Sequence, residues 1–141
     1  MSYPQNILVT VDAVLFTEDH REVLLIQRKN DPFKEQWALP GGFVEGDEDL
    51  DTAAVRELEE ETGIAPDVMH QFHAFGAPDR DPRGRAISVA YYAVVNKNDF
   101  QPEAASDAKA VQWFFLNDLP ELAFDHIDIL TKALSVLTQD S

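Results

Sequence analysis

The chain has 141 residues, 45% of them hydrophobic, with nine Phe, two Trp and no Cys; this suits one globular domain over residues 1–141 and excludes disulfide scaffolds, thiolate zinc sites and cysteine nucleophiles. Its formal charge is −15, and the eleven Lys and Arg are scattered, so a nucleic acid partner is not expected. The start MSYPQN has no basic then apolar leader and no apolar run approaches the roughly 18 residues of a membrane span, so the expectation is a cytoplasmic protein without a membrane partner.

Residues 6–16, NILVTVDAVLF, place Ile7, Val9, Val11, Ala13 and Leu15 in one apolar row at period two, which predicts a first strand. Its other face carries Thr10 and Asp12 between Leu8 and Val14. Such polar positions border a pocket or belong to a partly exposed strand, and Asp12 is kept as a candidate for substrate contact. The turn TEDHRE leads to VLLIQRK, a second strand, and a β-hairpin is the simplest reading of the pair. That strand ends in Arg28 and Lys29 beside the loop NDPFKEQ. WALP is then a short extended piece, stopped by Pro40, Gly41 and Gly42.

A helix is predicted from about Asp49 to Thr62, with Asp49 as N-cap and Gly63 as the left-handed terminator. VMHQFHAFGA and AISVAYYAVV are strand-like and flank the arginine-rich loop DRDPRGR. A long polar connection, NKNDFQPEAASDAK, precedes the aromatic strand VQWFFL, and loops of that length inside a domain are often functional. From Asp125 to Thr138, Ile127, Ile129, Leu130, Leu134 and Leu137 recur at helical spacing, so this segment is expected to pack as a closing helix. The histidines His20, His70, His73 and His126 show no metal-ligand spacing. His70 and His73 differ by an odd number of strand positions, which puts them on opposite faces, and all four are read as structural or exposed.

On the helix at about 100 degrees per residue, Glu57, Glu60 and Glu61 share one arc while Glu59 points away. Glu57 and Glu61 are a like-charged i, i+4 pair that calls for compensation. Arg56 reaches Glu60 but one guanidinium does not neutralise three acids. Hard oxygen donors without His or Cys suit Mg2+ or Mn2+; the plain alternative is a solvated acidic face.

The stretch GFVEGDEDLDTAAVRELEEETGI, from Gly42 to Ile64, decides between the two. It resembles the Nudix box, G-x5-E-x7-R-E-U-x-E-E-x-G-U, at Gly42, Glu48, Arg56, Glu57, Leu58, Glu60, Glu61, Gly63 and Ile64. The resemblance implies an α/β/α sandwich with a mixed sheet and a catalytic helix following a glycine-rich loop. It also implies magnesium, with Mn2+ as a substitute, held by Glu57, Glu60, Glu61 and the Gly41 carbonyl. Glu57 is then either a ligand or the base that deprotonates the attacking water. Glu48 and Arg56 steady the loop and the helix carboxylates, with Arg56 counted in the catalytic set and Gly42, Glu48 and Gly63 as the structural part of the box.

The activity implied is hydrolysis of the pyrophosphate bond in a nucleoside diphosphate derivative, and the partner is a small nucleotide. Pro78, fifteen residues after Gly63, is similar to the marker of the ADP-ribose pyrophosphatase branch, which would release AMP and ribose 5-phosphate. In that branch Arg83 and Arg85, with Arg80 beside them and Arg28 at its strand end, become candidates for substrate contact, against the alternative of a solvated hairpin tip. Enzymes of the branch often place a base far downstream, and Glu103 and Asp107 lie in such a loop. Adenine is expected to stack on one of Phe16, Phe33, Trp37, Phe43, Phe75 and Tyr92, which the sequence does not rank. A homodimer is expected by the same resemblance. The alternatives are a hydrolase of damaged nucleoside triphosphates or other nucleotide sugars, and a sensor domain that binds ADP-ribose without cleaving it; the full set of box glutamates and the acidity argue against the sensor.

Overall fold

The structure is a computed structural model and describes residues 6–102 and 108–139; Glu103 and Asp107 lie outside the described residues. Seven strands and two helices run in the order β1 (Leu8–Thr17), β2 (Glu22–Arg28), β3 (Trp37–Ala38), β4 (Gly41–Phe43), α1 (Leu50–Thr62), β5 (His70–Phe75), β6 (Ala86–Val95), β7 (Ala108–Phe115) and α2 (His126–Gln139). All strands join one mixed sheet: β3-β2-β1-β6-β5 is the main path, with β4 also on β1 and β7 also on β2. The centre is the parallel pair β1 and β6, in register from Leu8 opposite Ala86 to Thr17 opposite Val95.

The period-two pattern of β1 explains the layers. Val11, Ala13 and Leu15 pack with Ala53, Ala54 and Leu58 of α1, whereas Val14 and Phe16 pack with Ile129, Leu130, Ala133 and Leu137 of α2. Because a strand sends alternate side chains to opposite faces, one segment serves both helices, and the result is the expected α/β/α sandwich. Thr10 and Asp12 lie on the α2 face and are buried. The ends of α1 are as the sequence predicts. Asp49 accepts from the Thr52 amide at 2.8 Å, and Gly63 sits at φ 78° with its N–H donating to the Glu59 carbonyl.

Three features differ from expectation. The first two strands are antiparallel but share only the registered pair Phe16 and Val23, because β4 takes the edge of β1 at Thr10, Val11 and Asp12. Gly41 and Gly42 therefore continue as a strand instead of stopping one. Gly41 has no room for a side chain, since a Cβ would run into the Val11 carbonyl oxygen and the Asp12 carboxylate; only glycine fits so close an approach. The third difference is a register shift in β5 between Gln71 and His73, which sets His70 opposite Tyr92 and His73 opposite Ala90. Those partners lie on one face of β6, so the bulge removes the odd parity that separated the two histidines. Among the described residues no helix is long and apolar enough to cross a membrane.

Candidate active site

Where β2 diverges from β1 and β4, a cleft of about 440 Å³ opens, with Asp12, Gly41 and Gly42 on its floor. One wall comes from α1. Glu57 and Glu61 line the cleft, and Glu61 is only 5% exposed. Each is locked onto β4: Glu61 accepts from the Gly41 amide at 3.1 Å, and the Glu57 carboxylate occupies the place where a Gly42 Cβ would stand. Arg56 ties this wall to the loop before it. Its Nε and Nη2 donate to the two oxygens of Glu48 at 2.6 and 2.9 Å, Nη1 donates to Glu57 at 2.9 Å, and Nη2 reaches the Phe43 carbonyl at 3.1 Å. A bidentate guanidinium–carboxylate contact of this kind is both strong and directional.

Electrostatics follow from that geometry. Arg56 is held above its ordinary pKa, first by Glu48 and then by Glu57, and Arg56 in turn holds the Glu48 carboxyl below the usual range. Glu57 goes the other way. Burial pushes it up, and the pull of Arg56 does not cancel that. A carboxylate that stays costly to charge beside a guanidinium is short of positive partners.

The donor chemistry fits a hard divalent cation: Glu57, Glu61 and the Gly41 backbone offer oxygen alone, converging on one strand. Among the described residues no three His, Asp or Glu side chains already close around one point, so Glu57 and Glu61 would need the backbone and solvent to complete a shell. Mg2+ commonly retains several waters. Glu60 does not line the cleft; its side chain is 49% exposed and accepts from Arg56 Nη1 at 3.1 Å.

The facing wall comes from distant parts of the chain. The Arg80 side chain is 4% exposed and makes a two-point pair with Asp125 at 2.9 and 2.7 Å. Burial opposes its charge, yet the pairing outweighs burial and leaves Arg80 raised. Arg83 is gripped by Asp81, and its guanidinium lies 5.0 Å from the Phe43 ring and 5.5 Å from the Phe124 ring. Asp81 is buried, which works against its charge, and Arg83 still holds it below the usual carboxylate range. Arg28 stands 5.0 Å from the same Phe124 ring, and its Nε donates to the Pro32 carbonyl at 2.7 Å. The outcome is an alternation of Phe43, Arg83, Phe124 and Arg28 along one side, each cation facing an aromatic ring.

The structure thus brings Asp12, Arg28, Gly41, Gly42, Glu57, Glu61 and Arg83 together at the cleft. Arg85 is elsewhere: it does not line the cleft, and its Nη2 donates to the Gly76 carbonyl at the base of the excursion. Phe43 and Phe124 are the aromatic rings that line the cleft, so Phe16, Phe33, Trp37, Phe75 and Tyr92 are set aside as stacking surfaces. Sequence reasoning passed over Asp81, which grips Arg83, and misjudged the run before α2. Phe124, Asp125 and His126 look like the plain start of a closing helix, yet the first and third line the cleft and the second anchors Arg80. The available signal was a ring, an acid and a histidine in succession just ahead of an amphipathic helix.

An acidic helix clamped onto a glycine strand, inside an α/β/α sandwich and facing a wall of paired arginines and rings, defines a hydrolase-type site. The chain belongs to the NUDIX domain family, which matches residues 7–133. It is 47% identical to an ADP-ribose pyrophosphatase of Methanocaldococcus jannaschii, over 86% of this chain and 70% of that protein. It is 40% identical to the ADPR responsive transcriptional repressor NtrR of Acinetobacter baylyi, over 96% of this chain; it spans little more than half, 56%, of that repressor. The NUDIX domain of Shewanella oneidensis NrtR, solved in complex with ADP ribose, superposes with a TM-score of 0.86 at 38% identity, covering 94% of this chain and 90% of that one.

Proposed function

We propose that this Nudix pyrophosphohydrolase splits ADP-ribose into AMP and ribose 5-phosphate in a reaction that depends on Mg2+, with Mn2+ as a substitute. The observation that carries the proposal is the cleft in which Glu57 and Glu61 bracket the Gly41–Gly42 strand opposite Arg28, Arg83 and two aromatic rings. Glu61 and the Gly41 carbonyl would hold the cation, joined by Glu57 where it is a ligand and not the base, and by Glu60 if its arginine contact opens. When bound, such a cation neutralises the diphosphate and acidifies a water molecule.

The side chains supply the rest. Water oxygen adds to one phosphorus as the bridging P–O bond breaks, and the water proton passes to a carboxylate. Glu57 is one such carboxylate, with a raised pKa that suits proton acceptance; Glu103 and Asp107 are the others. Comparing Glu57→Gln, Glu103→Gln and Asp107→Asn, with Mn2+ affinity measured apart from rate, identifies the base as the variant that keeps metal and loses turnover. Arg56 and Glu48 hold Glu57 in place. Phe43, which is 41% exposed, offers a face on which adenine stacks, and Arg28 lies where it meets phosphate or ribose oxygens. Arg83 is committed to Asp81 and serves mainly to brace the two rings. Asp12 is a hydroxyl acceptor at the cleft floor.

The deciding experiment is a panel of ADP-ribose, NADH, diadenosine polyphosphates and 8-oxo-dGTP with Mg2+, with the products identified. AMP with ribose 5-phosphate as the preferred outcome supports the proposal; preference for 8-oxo-dGTP with pyrophosphate release replaces it with triphosphate cleansing. The likeness to an ADPR responsive repressor favours one second reading, a sensor module. Tight ADP-ribose binding with no turnover at saturating Mg2+ selects it. The same family resemblance extends the proposal to one domain over 1–141 acting as a homodimer in the cytoplasm; sedimentation analysis tests the dimer.

A further inference from the structure

At the cleft floor the His126 ring meets Asp12 and the Leu39 amide, and nothing in the reaction described above uses His126. His126, at the first turn of α2, is buried and accepts a hydrogen bond at Nδ1 from the Leu39 amide at 3.0 Å. An imidazole that accepts at Nδ1 carries its proton on Nε2 when neutral, and here Nε2 stands 3.5 Å from Asp12 Oδ1. The other oxygen of Asp12 accepts from the Ser88 hydroxyl. Asp12 Oδ1 and, closer still, the Val11 carbonyl oxygen leave no room for a Cβ at Gly41, and the Gly41 amide donates to Glu61. A single ring therefore touches both sides of the Leu39–Gly41 segment: its amide directly, and its glycine through Asp12.

We infer that His126 is a positioning residue, which through Leu39 and Asp12 sets where Gly41 and Glu61 stand at the cleft floor. The inference rests on reading the cleft as the metal-dependent site. The packing around it supports a fixed ring. The Phe124 ring lies 5.2 Å from the imidazole, and Asp125, the residue between them, is held by Arg80. Burial keeps the imidazole below its ordinary pKa although Asp12 and Asp125 pull upward, so the neutral form that can accept from Leu39 persists. The acceptor is aimed at the link between β3 and β4, two residues ahead of Gly41. Groups that orient a ligand-bearing segment characteristically change metal affinity and turnover together when lost.

Two substitutions separate the contacts. In His126→Asn the amide oxygen takes the place of Nδ1 and keeps the Leu39 bond; in His126→Gln the amide nitrogen takes the place of Nε2 and leaves the Leu39 amide without its acceptor. We expect His126→Gln to weaken Mn2+ binding, read by electron paramagnetic resonance, and to lower kcat, each about tenfold, with KM for ADP-ribose within about twofold. His126→Asn should restore most of both losses. Lowered melting temperature with unchanged Mn2+ affinity and kcat, measured well below the transition, overturns the inference and leaves His126 as filling. Wild-type protein supplies a check that needs no variant: on titration with Mg2+, the Leu39 amide and His126 ring resonances should shift, and resonances that stay put while Mg2+ binds overturn the inference equally. A wild type that binds Mn2+ but does not cleave ADP-ribose refutes the substrate reading instead, and the metal and resonance measurements still decide the role of His126.

Discussion

The two walls of the cleft are built in opposite ways. Everything on the Glu57 and Glu61 side comes from residues 41–63, a contiguous stretch whose helix is punctuated by its own caps. The facing side joins the Phe43 ring of β4 to Arg28 from β2, Arg80 to Arg83 from the excursion between β5 and β6, and Phe124 to His126 from the approach to α2. The first wall is a local object that packing only has to orient. The second exists only because buried pairs reach across the sequence, such as Arg80 with Asp125, 45 positions apart, and Leu39 with His126, 87 apart. The contrast implies that changes on the first wall strike chemistry and changes on the second strike stability and binding.

The largest effect should come from the local wall. Glu61→Gln is expected to cut kcat roughly a thousandfold at saturating Mg2+ while the far-ultraviolet spectrum and melting curve stay near wild type. Near-normal turnover would refute the metal-site assignment. On the assembled wall, Asp125→Ala strands the buried Arg80 charge and should cost about 3 kcal/mol in a urea titration. A loss well under about 1 kcal/mol would mean that solvent screens the pair and that the wall is held by other contacts.

The floor sharpens the comparison because its two glycines differ in what surrounds them. A methyl at Gly41 meets backbone at Val11, so Gly41→Ala should destabilise by about 2 kcal/mol. At Gly42 the obstacle is only the end of the Glu57 side chain. Gly42→Ala should therefore fold and lose about tenfold in kcat by displacing that carboxylate, some 1.4 kcal/mol of activation free energy. Equal losses of stability in both variants would contradict the distinction. Phe43→Ala should act on binding, raising KM for ADP-ribose about fivefold with kcat little changed, in line with a stacking contact of about 1 kcal/mol; an unchanged KM removes Phe43 from the adenine site.

The smallest effect concerns pH. Burial raises Glu57 above its ordinary value of 4.5, so the folded protein retains a proton that the unfolded chain has released. Stability from this group is complete below the unfolded value and is lost as pH rises through the folded value. Cation binding needs the charged form, so Mg2+ affinity should fall as pH drops through that same value. Thermal melts with and without Mg2+ from about pH 4 to 8 should show an Mg2+ increment that grows with pH. A constant increment would mean that Glu57 takes no part in holding the cation.

What the amino-acid order determined by itself was whatever depends on near neighbours. The Asp49 and Gly63 caps, the spacing of Glu57 and Glu61 on one helical arc, the alternation of β1 and the amphipathic α2 all rest on hydrogen bonds and periodicities that span a few residues. Tertiary structure decided the rest. It wedged β4 between β1 and β2 because the glycines permit backbone contact, bulged β5 so that His70 and His73 share a face, and buried Glu61 against Gly41 while leaving Glu60 outside the cleft. It also made Asp12 a floor residue, sent Arg85 to the Gly76 carbonyl and brought His126, a helix start, to the cleft lining beside the Leu39 amide. Each of these outcomes depends on which distant surfaces exclude water together, and no short window of sequence contains both surfaces.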